Sequence, residues 1–357
     1  MRSVDPPGSP HSSSRRGGRI TIQQVADAAG VSIATVSRVM SRTESVRPDL
    51  ADRVRRAAAE LGYRPNAAAQ GLATGVSRMV GVVVPNLANP YFYDIIKAMN
   101  ASAVADGYRM LIADANEDPG EEIELGRGLL RQVDALILVS PRMSVESLRE
   151  FEGESLNVVL VNRASVGVGL PTVSVDNFGA MLELAGHLAT LGHTEVAYLA
   201  GPEQSWQAQE RSRAISQASA FGLHSTPVPA GATMESGYAA VDAALSSNPT
   251  ALVCFSDLVA FGALARLDEL GIDVPGEISL TGFDDIAFAR YAKPALTTAA
   301  NPQRELGTTA WLLVAQVLRG ERPPQQPLLP APLMIRESTA APAANRVRSE
   351  VRLPTAG

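Results

Sequence analysis

From Met79 onward, short apolar runs alternate with helical stretches over about 260 residues, and this alternation limits the possible folds more than any other feature. Met79–Pro85 (Met-Val-Gly-Val-Val-Val-Pro) is a continuous apolar run, as a strand buried on both faces requires. A helix is expected over Tyr91–Asp106, a strand over Arg109–Asp114, a helix near Glu121–Arg131 and a strand over Ala135–Val139. A short helix near Val145–Glu150 and strands at Asn157–Val161 and Thr172–Val175 continue the rhythm. Helix 177–191, Val196–Ala200, helices 207–221 and 236–245, Ala251–Phe255, helix 257–270, Ile278–Gly282, helix 303–318 and Leu333–Arg336 complete it. Alternating elements imply parallel sheets with helices on both faces. The stretch is too long for one six-stranded sheet. Two similar α/β lobes are the economical solution, with a ligand cleft between them at the carboxyl ends of the strands.

The segment before this body follows another pattern. Thr21 and Gln24 form a capping box, and Ile22, Val25, Ala26 and Ala29 make one apolar face of a short helix. Gly30 stops that helix where a left-handed residue is needed. Ser32 can cap a second helix by accepting from the Thr35 N–H, with Val36, Val39 and Met40 packing inward. A third helix starts at Pro48, buries Val54, Ala57, Ala58 and Leu61, and ends at Gly62 and Pro65.

The charge is split between these two parts. The chain has 357 residues and a net charge of −6, yet residues 1–75 hold 11 arginines, no lysine and six acids, a net of +5. A basic head on an acidic body suggests that one segment is built to meet phosphate. Two short helices joined by a glycine turn, with a capped second helix in a basic segment, make a helix-turn-helix candidate for duplex DNA. Arg38, in the middle of the second helix, can donate two bonds to guanine.

The remaining composition narrows the class. Hydrophobic residues make up 46%, enough for a sizeable core. No apolar run reaches the ~18 residues a membrane span needs. Met1–Arg19 is Ser/Pro/Gly/Arg-rich with no apolar core, so it is expected to be a disordered tail rather than a secretory signal, and the protein is expected to stay in the cytoplasm. Cys254 is the sole cysteine and cannot pair internally; with four histidines it leaves little for a zinc site, so neither metal nor cofactor is expected.

The run Thr21-Ile22-Gln23-Gln24-Val25-Ala26-Asp27-Ala28-Ala29-Gly30-Val31-Ser32-Ile33-Ala34-Thr35-Val36-Ser37-Arg38-Val39 strongly resembles the LacI/GalR family of bacterial repressors. Gly62-Tyr63-Arg64-Pro65-Asn66-Ala67-Ala68-Ala69-Gln70-Gly71-Leu72 continues the match into that family's hinge helix, and the likeness runs to about residue 338. The resemblance implies a helix-turn-helix domain over 20–64, a hinge helix over 65–76 and an effector-binding and dimerisation core over 77–338. That core would be a two-lobed α/β fold of the periplasmic-binding-protein type. One lobe would take about 77–176 plus 303–327, the other about 177–302 plus 328–338, leaving 339–357 as a loose tail.

It also implies site residues. Ile33, Ala34 and Arg38 would read bases, with Thr35 and Ser37 nearer the backbone, and Thr21, Ser32, Tyr63, Asn66 and Ala69 would also bind DNA. Leu72 would wedge into the minor groove, where a small apolar side chain can unstack a base step. Ile33 and Ala34 can meet thymine methyls but cannot make bidentate bonds, so direct readout would rest on Arg38 and on DNA shape. In the cleft, Tyr91 and Phe92 could stack on a sugar's apolar face. Asn162, Arg163, Asp176, Trp206, Arg211, Ser256, Asp257 and Asp284 would supply polar contacts. Carboxylates accept from hydroxyls and arginine donates to oxygens, which suits a polyol. Each aspartate could instead cap the helix that follows its strand. Arg211 could be structural, in which case Arg211→Ala lowers melting; a pure ligand role leaves melting near normal.

Gly231-Ala232-Thr233-Met234 lacks the aromatic of the family's purine-binding members, and Ser205 stands where they have a second arginine, so a carbohydrate is favoured over a purine or nucleoside. A phosphorylated sugar stays open. An enzyme is the competing class, but no Gly-x-Gly-x-x-Gly, Gly-x-x-x-x-Gly-Lys-Ser/Thr or Gly-x-Ser-x-Gly follows the right strand. A secreted sugar-binding protein would leave the basic head without a role. The expected protein is a transcriptional regulator, a homodimer on a pseudo-palindromic operator. After Arg336 no leucine heptads follow to build a tetramer.

Overall fold

A computed structural model describes residues 20–40, 46–63, 76–153, 157–164, 167–321, 323 and 328–343. The chain divides into two compact units, Met1–Ser77 and Arg78–Gly357.

In the first unit, α1 (Ile22–Ala29), α2 (Ile33–Met40) and α3 (Pro48–Leu61) form a small bundle. Thr21 and Gln24 close the capping box in both directions, and Gly30 takes the left-handed conformation (φ 61°) with its N–H on the α1 carbonyls. Such a backbone suits glycine, which carries no Cβ to clash. Thr35 N donates to Ser32 Oγ at 3.2 Å, so the second helix is capped as its sequence suggests. Arg53 donates to the Ala29 carbonyl at 2.6 Å, tying α3 to the end of α1. Val25, Ala26, Ala29, Val36, Val39, Ala51, Val54, Ala57 and Ala58 are the buried core. It is small, so caps and this cross-tie carry a larger share of the order than in the body.

The second unit contains two parallel sheets. The first has order β2-β1-β3-β4-β5: Arg109–Asp114, Met79–Val84, Ala135–Val139, Val158–Val161 and Thr172–Val173. Its helices are α4 (Tyr91–Ala105), α5 (Pro119–Leu130) and α6 (Val145–Arg149). The second has order β7-β6-β8-β9: His224–Pro229, Glu195–Ala200, Ala251–Cys254 and Ser279–Thr281. Here α7 (Asn177–Thr190), α8 (Trp206–Gln217), α9 (Met234–Leu245) and α10 (Asp257–Glu269) connect the strands. Helix α11 (Gln303–Leu318) packs on α4 in the first lobe. The chain then returns: Leu329 bridges Val175, and β11 (Leu333–Met334) pairs antiparallel with β10 (Thr298–Ala299).

Two elements differ from expectation. The strand His224–Pro229 is invisible in the apolar pattern, being polar and holding two prolines. It pairs only with β6, and such an edge position tolerates residues that a central strand cannot. The C-terminal stretch is not loose from residue 339. Ala340 N donates to Ser279 Oγ at 3.1 Å, the Ala340 carbonyl accepts from His193 Nε2 at 2.9 Å, and Thr339 meets His187 at 3.0 Å. Backbone groups that find partners on the second lobe hold this segment in place.

Candidate reading helix and interlobe cleft

The exposed face of α2 is set by its period. Val36 and Val39 point into the bundle, so Ile33 and Ser37, and Ala34 and Arg38, stack four residues apart on the outer side. Ile33 is 44% exposed, Ala34 and Arg38 are exposed, and Thr35 and Ser37 are half-buried. Ser32 and Thr21 spend their side chains on caps, with Ser32 Oγ also 2.9 Å from Thr35 Oγ1. Tyr63 packs partly against the bundle core while its N–H caps α3 on the Ala58 carbonyl. Asn66, Ala69 and Leu72, with Gly71, lie outside the described residues. The face thus offers two small apolar groups and one guanidinium, which fits base edges in a major groove.

A second site lies between the lobes, at the carboxyl ends of both sheets. It is lined by Asn89, Tyr91 and Phe92 at the start of α4, Ser140 and Arg142 after β3, and Asn162 after β4. Gln207 and Arg211 of α8, Ala232, Phe255 and Ser256 after β8, and Asp284 after β9 face them. The volume left among these groups is about 20 Å³. Ser140 (φ 47°), Asn162 (φ 56°) and Asp284 (φ 113°) all have positive φ. Non-glycine residues held this way concentrate at functional sites, where surrounding structure over-determines them. Gly201 is needed for space: a Cβ there would stand 2.5 Å from the Phe255 ring.

Arg211 organises the second-lobe side. Its guanidinium donates to Asn177 Oδ1 at 2.8 and 3.0 Å, to Asp284 Oδ1 at 3.3 Å and to the Phe255 carbonyl, and it lies 3.5 Å above the Phe283 ring. It is only 2% exposed. Asp284 also accepts from Asn301 Nδ2 at 2.8 Å. Burial pushes the Asp284 carboxyl up to about 6, against the pull of Arg211. Burial likewise raises the Tyr91 hydroxyl above its usual range; that hydroxyl accepts from Asn162 Nδ2 at 2.9 Å.

Six of the ten residues expected in the cleft line it: Tyr91, Phe92, Asn162, Arg211, Ser256 and Asp284. Four do not. Asp176 caps α7 by accepting from Gly179 N at 2.8 Å. Asp257 turns inward and accepts from Thr298 Oγ1 at 2.6 Å and Ile286 N at 2.8 Å, fixing the loop that carries Asp284. Arg163 is buried in the first lobe, donating to the Pro141 and Met143 carbonyls at 2.7 and 2.8 Å. Trp206 is half-buried at the start of α8 and not among the lining residues. Ser256 both lines the cleft and caps α10 through Val259 N. The unexpected lining residues are Asn89, Ser140, Arg142, Gln207, Ala232 and Phe255. Ser140 and Arg142 follow an apolar strand at its carboxyl end, a signal that could have found them; Gln207 carries none.

Among the described residues there is no group of three His, Cys, Asp or Glu placed to hold a metal ion, and no helix long and apolar enough to cross a membrane. The lining is one of hydroxyls, amides, two guanidiniums, a carboxylate and rings, which binds by hydrogen bonds and stacking.

Residues 21–66 match the lacI family of bacterial regulatory proteins, and residues 185–339 match the periplasmic binding protein-like domain. The HTH-type transcriptional repressor CytR of Escherichia coli K12 is 32% identical over 329 residues, covering 90% of this chain and 96% of that protein. The HTH-type transcriptional regulator GalS of Salmonella typhimurium is 34% identical over 313 residues, 84% of this chain and 91% of its own length. Among solved structures, the lac repressor dimer bound to operator and an anti-inducer superposes with a TM-score of 0.81 at 27% identity, covering 91% of this chain and 100% of that one. The regulator CelR in complex with cellobiose matches with a TM-score of 0.67 at 28% identity, covering 90% and 100%. A capped helix-turn-helix head, two parallel-sheet lobes and likeness along nine-tenths of the sequence agree: the chain belongs to the LacI family of DNA-binding bacterial transcriptional regulators.

Proposed function

We propose that this protein is a homodimeric repressor that reads a pseudo-palindromic operator, and that a small carbohydrate-like effector between the lobes sets its DNA affinity. The head would span residues 20–64, the hinge 65–76 with Leu72 as wedge, and the core 77–338. The observation that carries the effector reading is the convergence of Arg211, Asp284, Asn162 and Tyr91 at the carboxyl ends of two sheets. Ala232 in the lining offers no ring for a purine sandwich, which favours a polyol. Solved relatives carry small ligands, cellobiose in CelR and an anti-inducer in the lac repressor dimer. The present volume of about 20 Å³ holds no sugar, since ligand pockets run to roughly 300 Å³ and more. Binding therefore needs the cleft to widen, and any coupling to DNA is reciprocal.

Dimerisation is supported by large apolar groups left open on the second lobe: Phe288 is 57% exposed, Tyr291 77% and Met234 47%. A DNA-bound regulator of this kind works in the cytoplasm. Three measurements test the whole reading. Selection from random duplexes should return an inverted repeat, and light scattering should return two chains; four would remove the dimer. A melting screen against free mono- and disaccharides, hexose phosphates and nucleosides should then find a sugar that raises the melting temperature and shifts operator binding. A nucleoside doing so alone would overturn the carbohydrate assignment.

A further inference from the structure

The narrowness of the cleft has an identifiable cause. Gln207 stands in the first turn of α8, on the second lobe, and is 4% exposed. Both ends of its carboxamide reach the first lobe. Nε2 donates to the Asn162 carbonyl, and Oε1 faces Arg142 Nη1 at 3.4 Å. Ser205 Oγ donates to Oε1 at 2.8 Å and accepts from Ala208 N, which fixes the amide's direction. Arg142 is itself anchored: its Nε donates to Glu117 at 2.7 Å and its Nη1 to the Ser140 carbonyl at 2.9 Å.

Beside this bridge is an unmet demand. Asn162 is 1% exposed, and its Nδ2 serves Tyr91 and Ser140 at 2.9 and 3.2 Å. Its Oδ1 is buried with no hydrogen-bond partner. A buried acceptor left unpaired is costly, so it favours whatever brings a donor to it. The free volume among the lining groups, Gln207 included, is near the size that admits one water.

We propose that Gln207 is a built-in stand-in for the effector: its carboxamide latches the second lobe onto Asn162 and Arg142, and the effector opens the cleft by taking over those contacts. The displacing group must offer an acceptor to Arg142 and donors to the Asn162 carbonyl and Oδ1. Vicinal hydroxyls carry that pattern, whereas a single carbonyl or an apolar ring does not. The stand-in role rests on reading the cleft as an effector site; the latch between the lobes does not.

The test is thiol labelling of the full-length protein without added sugar. Ser140→Cys places a thiol in the lining at a site 2% exposed, and Cys254, 0% exposed, gives the background. Labelling by dithiobis(nitrobenzoate) then reports how often the cleft opens. Gln207→Ala and Gln207→Met in this background should both label about tenfold faster, as loss of one or two net hydrogen bonds implies. Methionine keeps the volume and loses the bonds, so acceleration by alanine alone means a hole rather than a latch and overturns the proposal. Unchanged rates in both variants overturn it too, while leaving the effector reading to its own screen. If Ser140→Cys does not fold, Ser256→Cys, at a lining site 2% exposed on the opposite wall, reports with the same order of rates expected. Faster labelling combined with a screen in which no polyol binds overturns the stand-in role.

Discussion

Two arginines, one in each unit, show how differently the two sites are made. Arg38 stands exposed on a helix whose face is set by sequence spacing alone. Arg211 is 2% exposed, bonded to Asn177, Asp284 and the Phe255 carbonyl, and stacked on Phe283. A reading helix can be built from local rules and left open to solvent because its partner supplies the other half of every contact. A cleft must satisfy its own charges before any ligand arrives, so its ligand-facing groups are also structural. Arg211 is thus structural as it stands, and the ligand role proposed for it would come in addition to these bonds.

Salt should divide the two sites most sharply. Raising it from 50 to 200 mM should weaken operator binding by about three decades if paired heads neutralise some six phosphates. Effector binding in the buried cleft should change by about twofold at most, because buried pairs are little screened. Retardation assays and calorimetry across that range check both, and a flat log–log slope for DNA would break the contrast. Arg211→Ala comes next. Removing one partner of a buried pair leaves Asp284 uncompensated, so a loss of roughly 3–5 kcal/mol is expected. Scanning calorimetry should show a melting drop of about 2–4 °C per kcal/mol, alongside a lost effector response. Near-parental melting would show that these bonds contribute nothing to the fold.

Arg38→Ala should do the reverse. Operator affinity should fall by about 1–3 kcal/mol with relaxed sequence preference, while melting changes by about 0.5 kcal/mol at most. Equal loss on operator and random DNA would make Arg38 a phosphate contact. The smallest effect concerns Glu122, 1% exposed behind the cleft. Its carboxylate accepts from Met143 N and Arg142 N at 2.8 Å each. Burial outweighs these donors and pushes its carboxyl up to about 7. A carboxyl raised in the folded state favours folding at low pH and loses that contribution as pH rises through about 7. Relative to Glu122→Gln, the parent should therefore gain about 1 kcal/mol between about pH 7.5 and about pH 6.2. Parallel melting curves across that window would show that Glu122 stays ionised throughout.

The head was legible almost residue by residue. Thr21, Gly30, Ser32 and Pro48 act within three or four positions of themselves, and caps and apolar stripes need no distant partner. The cleft was legible only as a location. Asp176, Ser256, Asp257 and Asp284 all follow strands at the carboxyl edge. Yet Asp176 and Ser256 cap helices, Asp257 fixes a loop, and Asp284 meets Arg211. Short oxygen-bearing side chains after the same kind of strand take different roles according to which loop crosses them.

What the sequence by itself determined is the set of properties that repeat along the chain: period-driven helices and strands, the two-lobed α/β plan, the basic head and the family signature. What only the tertiary structure decided is which side chains separated by tens to hundreds of positions meet. Gln207 reaches Asn162, Asp284 reaches Arg211, and Ala340 returns to His193. Local backbone energetics act over a few residues and leave a readable pattern. Contacts between distant segments depend on how packed lobes bring loop ends together, and no spacing rule along the chain encodes that.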